Sequence, residues 1–243
     1  MLSTGIELSS VVHPSFRDDA NDLSGYVLAA LGAIAGFLVM NVVLTTVYIV
    51  AFNGGVAELP PGVRFLASGL ALLVPVGLLW WWLDARERAA AFPFRVPDTT
   101  ELAWTLAFVP LGVAASAVGI DVGTALGFEY LTFGYDLTNP VTAVGVLVGP
   151  VLLAPLLEEL LFRGLLIGSL TDRRWSPPVA GLAALVAFAA PHVWLGVAGM
   201  LGIAAWTVFP TILRLKFDNL AGAYGLHLLN NVYSYVVVVA VAS

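Results

Sequence analysis

Seven residues in three short stretches carry the chemistry this sequence offers. The first stretch is Glu158-Glu159-Leu160-Leu161-Phe162-Arg163, set in the run Val141 to Gly168, which has no other charged residue. The second is Phe188-Ala189-Ala190-Pro191-His192, and the third is His227-Leu228-Leu229-Asn230-Asn231. On a helix, Glu159 and Arg163 stand i, i+4 with the acid N-terminal, the favoured order for an ion pair. Glu158 lies about 100° further round the helix and finds no partner at that spacing. Phe188 and His192 share one helical face by the same spacing, as do His227 and Asn231. The set therefore offers one neutralised carboxylate, one available carboxylate, two imidazoles and a carboxamide.

A carboxylate in a low-dielectric cavity beside imidazoles can hold and deprotonate a water. That water can attack an amide carbonyl. The developing oxyanion then needs donors, and an imidazole N–H and the Asn231 carboxamide are suitable. Such hydrolysis needs no side-chain nucleophile, and the sequence contains no cysteine. Glu158, His192 and His227 equally resemble a zinc set, in which Zn2+ would lower the pKa of bound water to about 7. Neither histidine sits in a His-Glu-x-x-His pattern, and metal-free and metal-assisted hydrolysis both remain open on the residues alone. Two other readings use the same groups: a proton-coupled transporter, in which Glu and His form a relay, and a non-catalytic membrane scaffold. Taken singly, an intramembrane His or Asn is as readily glue between helices. Asn41, Trp206 and Asn230 read as packing or glue of that kind. The joint occurrence points to a site.

These groups must be positioned inside a membrane. The chain of 243 residues is 60% hydrophobic and 11% charged, with a mean hydropathy of +0.94. A soluble domain carries about 25% charged residues, so the composition is that of a polytopic integral membrane protein, an all-α helix bundle. A bilayer core disfavours each charged side chain by roughly 2.5–3.5 kcal/mol on insertion scales, so three together ask for a function. Seven apolar stretches lie near the roughly 20 residues a crossing needs: Gly25–Ala51, Val63–Leu83, Leu102–Ile120, Val141–Gly168, Pro178–Val193, Trp194–Leu213 and Leu220–Ala242. That gives about seven crossings, or eight if one escapes the hydropathy pattern. The fifth is short, and a re-entrant segment is the alternative there. Residues 1–23 read as a polar cytoplasmic tail rather than a signal peptide, with His13 a bystander. Residues 24–243 read as one transmembrane domain, with its core at about 141–243. Trp80-Trp81-Trp82 suits an aromatic belt. Asp121–Asn139, with its aromatics among acids and glycines, reads as an interfacial loop.

Charge gives orientation. With the N-terminus cytoplasmic, the inner segments carry Arg17, Arg86, Arg88, Arg95, Arg173, Arg174, Arg214 and Lys216, and the outer ones only Arg64. That asymmetry follows the positive-inside rule. The net charge of −6 and the absence of clustered basic residues argue against nucleic acid as a partner. Lys216 is the sole lysine, a bias compatible with a high-salt cytoplasm and a prokaryotic plasma membrane. Counted from the inner ends of their spans, Glu158 lies at about 15 Å depth and His227 at about 11 Å, with His192 deeper at about 21 Å.

The order Glu158-Glu159-x-x-x-Arg163, Phe188-x-x-x-His192, His227-x-x-x-Asn231 resembles the three motifs of the CPBP intramembrane protease family. That family includes type II CAAX prenyl endopeptidases and bacteriocin-processing or immunity proteins. The resemblance covers roughly Val141 to Ser243 and implies a membrane endopeptidase whose site opens to the cytoplasm. It implies that Glu158 activates the water with His192 assisting, and that His227 and Asn231 stabilise the oxyanion. Glu159, Arg163 and Phe188 would order the site. The implied partners are membrane lipid and a hydrophobic or prenylated peptide, such as the prenylated C-terminal tripeptides of eukaryotic substrates.

Overall fold

The computed structural model describes residues 23–52, 59–132 and 134–242, and among them it contains helices and loops but no strand. His13 and Arg17 lie outside the described residues. In chain order the elements are α1 (Val27–Phe52), α2 (Pro61–Trp82), α3 (Ala85–Ala91) and α4 (Thr99–Ala125). They continue with α5 (Pro140–Asp172), α6 (Pro177–Ala189), α7 (Gly196–Trp206), α8 (Val208–Phe217) and α9 (Ala221–Val241). The starts follow local signals. Pro61, Pro140 and Pro177 occupy first-turn positions, where a missing N–H costs nothing. The Asp84 side chain accepts from the N–H groups of Arg86 and Glu87, and Asn139 accepts from those of Val141 and Thr142.

The protein is an integral membrane protein, with six helices among the described residues long and apolar enough to cross a bilayer. The expected seven or eight crossings are not reached by this measure, and the difference lies in Pro177–Phe217. This 41-residue stretch folds back on itself. Gly181 packs against Thr211 and Leu215, while the Phe188 and Trp206 rings lie 6.1 Å apart, so α6 runs antiparallel to α7 and α8. The reversal falls at Gly196, whose φ of +77° and ψ of 166° suit glycine and few other residues. With 13 residues, α6 is only about 20 Å long, short of the roughly 30 Å hydrocarbon core. A second difference concerns the expected interfacial loop. α4 continues to Ala125, so Asp121 lies inside the helix and the irregular segment begins only after Ala125.

The loops gather at two ends. At one, the Leu23 N–H donates to Asp172, the Tyr26 hydroxyl donates to Glu87 at 2.6 Å, and Arg95 donates to the carbonyls of Phe217 and Asp218. The hydrogen bond to Glu87, ahead of burial, raises the Tyr26 phenol to about 12. At the other end, the Tyr135 hydroxyl donates to the carbonyl of Tyr235, and the Leu131 N–H donates to that of Leu195. The basic residues Arg86, Arg88, Arg95, Arg173, Arg174 and Lys216 sit with the first group of loops. Arg214 does not belong with these solvent-facing charges, because its side chain is buried.

Between helices the close approaches are made by glycine. A Cβ on Gly145 would meet the backbone of Gly62, and one on Gly149 would meet the Phe65 carbonyl, so α2 and α5 touch backbone to backbone. Gly119 and Gly123 of α4 approach Ala198, Leu201 and Gly202 of α7 in the same manner. Apolar surface gives no preference for helix over lipid, so such close packing is a principal source of helix association in a bilayer. Gly149→Ala should therefore destabilise the bundle by about 1–3 kcal/mol. Gly77→Ala, where a Cβ meets nothing within 4 Å, should leave the thermal unfolding midpoint in detergent unchanged.

Candidate active site

The glutamate helix departs from regular α geometry on both sides of its two acids. Leu147–Leu153 and Glu159–Leu166 form π-helical turns, with the short α segment Ala154–Glu158 between them. Pro150 and Pro155 explain the first departure. The Ala154 N–H reaches back five residues to Gly149, and the next such bond, from residue 155 to the Pro150 carbonyl, lacks a donor because Pro155 has no N–H. The Asn231 side chain supplies the missing donor, its Nδ2 lying 2.7 Å from the Pro150 oxygen. One carboxamide thereby links α9 to α5 and satisfies a carbonyl that would otherwise be unpaired in the membrane.

Glu159 and Arg163 are fully buried. Their ion pair forms as the spacing implies, with Arg163 Nη1 3.0 Å from Glu159 Oε1. Two further groups hold the guanidinium: Nη2 donates to the Thr207 hydroxyl, and the Phe188 ring lies 4.2 Å from Cζ in a cation–π contact. The Arg163 carbonyl in turn accepts from Arg214 Nε at 3.0 Å, and Arg214 pairs with Asp218. The buried guanidinium of Arg214 thus braces the π turn that carries the acids.

The same Glu159 oxygen holds His227. His227 Nδ1 lies 2.8 Å from Glu159 Oε1, and a carboxylate only accepts, so Nδ1 carries the proton. Nε2 then faces Glu158, 3.6 Å from its Oε2. That distance is beyond a direct hydrogen bond and suits a bridging water or a shared substrate atom. The Glu158 side chain is 14% exposed and that of Glu159 0%, so Glu158 is the carboxylate a substrate can reach. Trp206 of α7 covers the imidazole, ring centroids 4.7 Å apart.

His192 lies elsewhere. It sits in a 3-10 turn, Ala190–Leu195, at the hairpin's reversal, and its Nδ1 bonds the Phe188 carbonyl at 2.8 Å. Glu158 has one polar partner among the described residues, His227, so the structure does not join both imidazoles to it. Phe188 stands between them, 5.0 Å from the His192 ring and 5.7 Å from that of His227. Phe188 holds the level at which Arg163 and His227 meet.

Among the described residues no group of three His, Cys, Asp or Glu side chains is disposed to hold an ion, and no step is assigned to zinc. Thr207 and Trp206 joined the site without a signal in the sequence, since each meets its partner only across helices.

Residues 140–233 match the family model described as type II CAAX prenyl endopeptidase Rce1-like. Comparison with curated proteins and with solved structures returns no match. All three motif stretches fall inside the matched segment, so the site described above is built within it.

Removing one partner of a buried ion pair leaves the other charge stranded. Arg163→Met should destabilise the protein by about 3–5 kcal/mol. Arg163→Lys should recover little of it, since a single ammonium cannot serve Glu159, Thr207 and the Phe188 face together. Thermal unfolding of the three proteins in one detergent checks both outcomes.

Proposed function

From membership of the type II CAAX prenyl endopeptidase Rce1-like family, carried by residues 140–233, we propose that this intramembrane protease hydrolyses a peptide bond of a hydrophobic or prenylated substrate through a Glu158-activated water. The observation that carries the reading is the pairing of Glu158 with an imidazole already oriented from behind. His227 Nδ1 is held by Glu159, and Nε2 is directed at Glu158 across 3.6 Å.

In the proposed mechanism a water lies between Glu158 Oε2 and His227 Nε2. Its oxygen attacks the scissile carbonyl carbon while its proton passes to Glu158. The C=O π pair becomes the oxyanion. Asn231 spends one Nδ2–H on the Pro150 carbonyl and retains the other for that oxyanion. Collapse of the tetrahedral intermediate breaks the C–N bond as Glu158 returns the proton to the leaving nitrogen, giving a carboxylic acid and an amine. Buried Glu159, paired with Arg163 and bonded to His227, supports whatever positive charge His227 gains, the role a third group plays behind a catalytic imidazole. His192, fixed through Nδ1 by the Phe188 carbonyl, presents Nε2 as a further polar contact for the substrate backbone.

The end that gathers Arg86, Arg88, Arg95, Arg173, Arg174 and Lys216 is the cytoplasmic one on the positive-inside rule. It carries the N-terminus with it, in a plasma membrane. The substrate's apolar portion stays in lipid while its peptide enters the site.

Purified protein in detergent should cleave a farnesylated CAAX peptide, with the scissile bond read by mass spectrometry beside an unprenylated peptide library. Glu158→Gln should lower turnover by roughly 10²–10⁴-fold, the range for loss of a general base. A chelator should leave the rate unchanged. Full turnover by Glu158→Gln would sink the assignment.

A further inference from the structure

The geometry points to Glu101, on α4 and outside the family-matched segment, as the positioning residue that sets where His227 and Asn231 stand. Its local sequence suggests another job. Asp98 caps α4 by accepting from the Glu101 N–H at 2.8 Å, and an acid three residues after such a cap ordinarily reaches back to the cap's own N–H. Glu87 does this for Asp84, where both bonds of the box are formed. Glu101 instead turns away from its own helix and is 3% exposed.

Both of its carboxylate oxygens are used at the start of α9. Oε1 accepts from the Gly222 N–H at 2.9 Å, and Oε2 accepts from Asn219 Nδ2 at 2.9 Å. Asn219 Oδ1 accepts from the N–H groups of Ala221 and Arg95, and the Leu220 N–H donates to the Pro93 carbonyl. Three successive N–H groups at the head of α9 thus have defined acceptors. An anionic side chain at a helix N-terminus also meets the positive end of the helix dipole. Gly222 is part of the device: a Cβ there would lie 2.7 Å from Glu101 Oε1 and 2.9 Å from the Thr105 hydroxyl. Only glycine lets the carboxylate come this close.

His227 is five residues beyond Gly222, about 7.5 Å along the helix. Its 2.8 Å bond to Glu159 and its 3.6 Å approach to Glu158 leave little room for α9 to slide or turn. Glu101 and Asn219 hold α9 at its head, and Asn231 holds it at the far side of the site through Pro150. Glu101 touches neither substrate nor water in this scheme. It acts through the helix.

The inference rests on the assignment of His227 and Asn231 to the reaction, and the test separates the two. Wild type, Glu158→Gln, Glu101→Gln and Glu101→Gln/Asn219→Asp are assayed on the farnesylated CAAX peptide, and kcat is expressed per folded molecule. In Glu101→Gln the new amide sets donor against donor at Asn219, whose oxygen is already committed, so kcat should fall by about 10–100-fold with KM kept. The double variant moves the carboxylate to position 219 and pairs the two side chains again, while losing the bond that Asn219 Nδ2 donates to the Arg95 carbonyl at 3.1 Å; it should recover part of the loss. Should Glu101→Gln not fold, Gly222→Ala, which forces the same contact apart with the carboxylate intact, is read in the same way. Wild-type kcat in Glu101→Gln, or a lowered melting midpoint with kcat per folded molecule unchanged, overturns the positioning role while Glu158→Gln remains inactive. Equal rates for wild type and Glu158→Gln overturn the catalytic reading, and this inference with it.

Discussion

The site depends on one buried carboxylate oxygen. Glu159 Oε1 accepts from Arg163 at 3.0 Å and from His227 at 2.8 Å, with no exposure to solvent. An isolated charge at membrane depth is costly, so each of these groups is tolerable only because the others are there. Arg163 extends the cluster to Thr207 at the α7–α8 junction and to Phe188 on α6. One oxygen thereby gathers four elements of the bundle: α5, α6, the α7–α8 junction and α9. It also divides labour between two adjacent glutamates. Glu159 is consumed by structure, and its neighbour, turned about 100° away, is left to face the imidazole.

Irregular backbone makes this possible. A regular α-helix through residues 147–166 would present its groups at fixed steps, and the prolines at 150 and 155 rule that out. The π turn at Leu147–Leu153 leaves the Pro150 carbonyl without an intrahelical donor, which a bilayer does not forgive. The bundle answers there with the Asn231 side chain, and Arg214 adds a donor to the Arg163 carbonyl in the second π turn. Each answer is also a positional constraint. Polar groups that satisfy the kinked helix fix where neighbouring helices stand, and His227 and Asn231 ride on one of those helices.

What could be read in advance follows the same physics. The Glu159–Arg163 pair was legible because it is local, set by helical spacing alone. The all-helical membrane character and the three-stretch site were legible because hydropathy makes isolated polar residues conspicuous. The pairing of His227 with Glu159 was not, since it joins residues 68 apart and depends on how α9 is rotated against α5. Asn231 was legible as a polar group and not as the donor to Pro150. Pro177–Phe217 folds back at Gly196, and its first helix, Pro177–Ala189, is shorter than a regular crossing before the 3-10 turn Ala190–Leu195 continues it. Arg214 counted as a loop charge in sequence and is buried in the fold, since it ends α8 pointing inward at the glutamate helix.

The helices before residue 140 are then more than a hydrophobic jacket. In lipid, burying leucine between helices gains little over leaving it among acyl chains, so relative position must come from close backbone contact and from polar anchors. α2 supplies the first to α5 at Gly62 and Gly69, and α4 supplies it to α7 at Gly119 and Gly123, with Gly112 set against Trp206. Trp206 lies on His227, so the α4–α7 contact reaches the imidazole through one ring. α4 supplies the second kind of anchor at Glu101, on the head of α9. The two glutamates on α5 and the imidazole on α9 are therefore held to each other from within, through Glu159, and from outside, through α2 and α4. A segment carrying only the motif residues would keep the first restraint and lose the second, which is why the geometry at Glu158 is a property of the whole bundle.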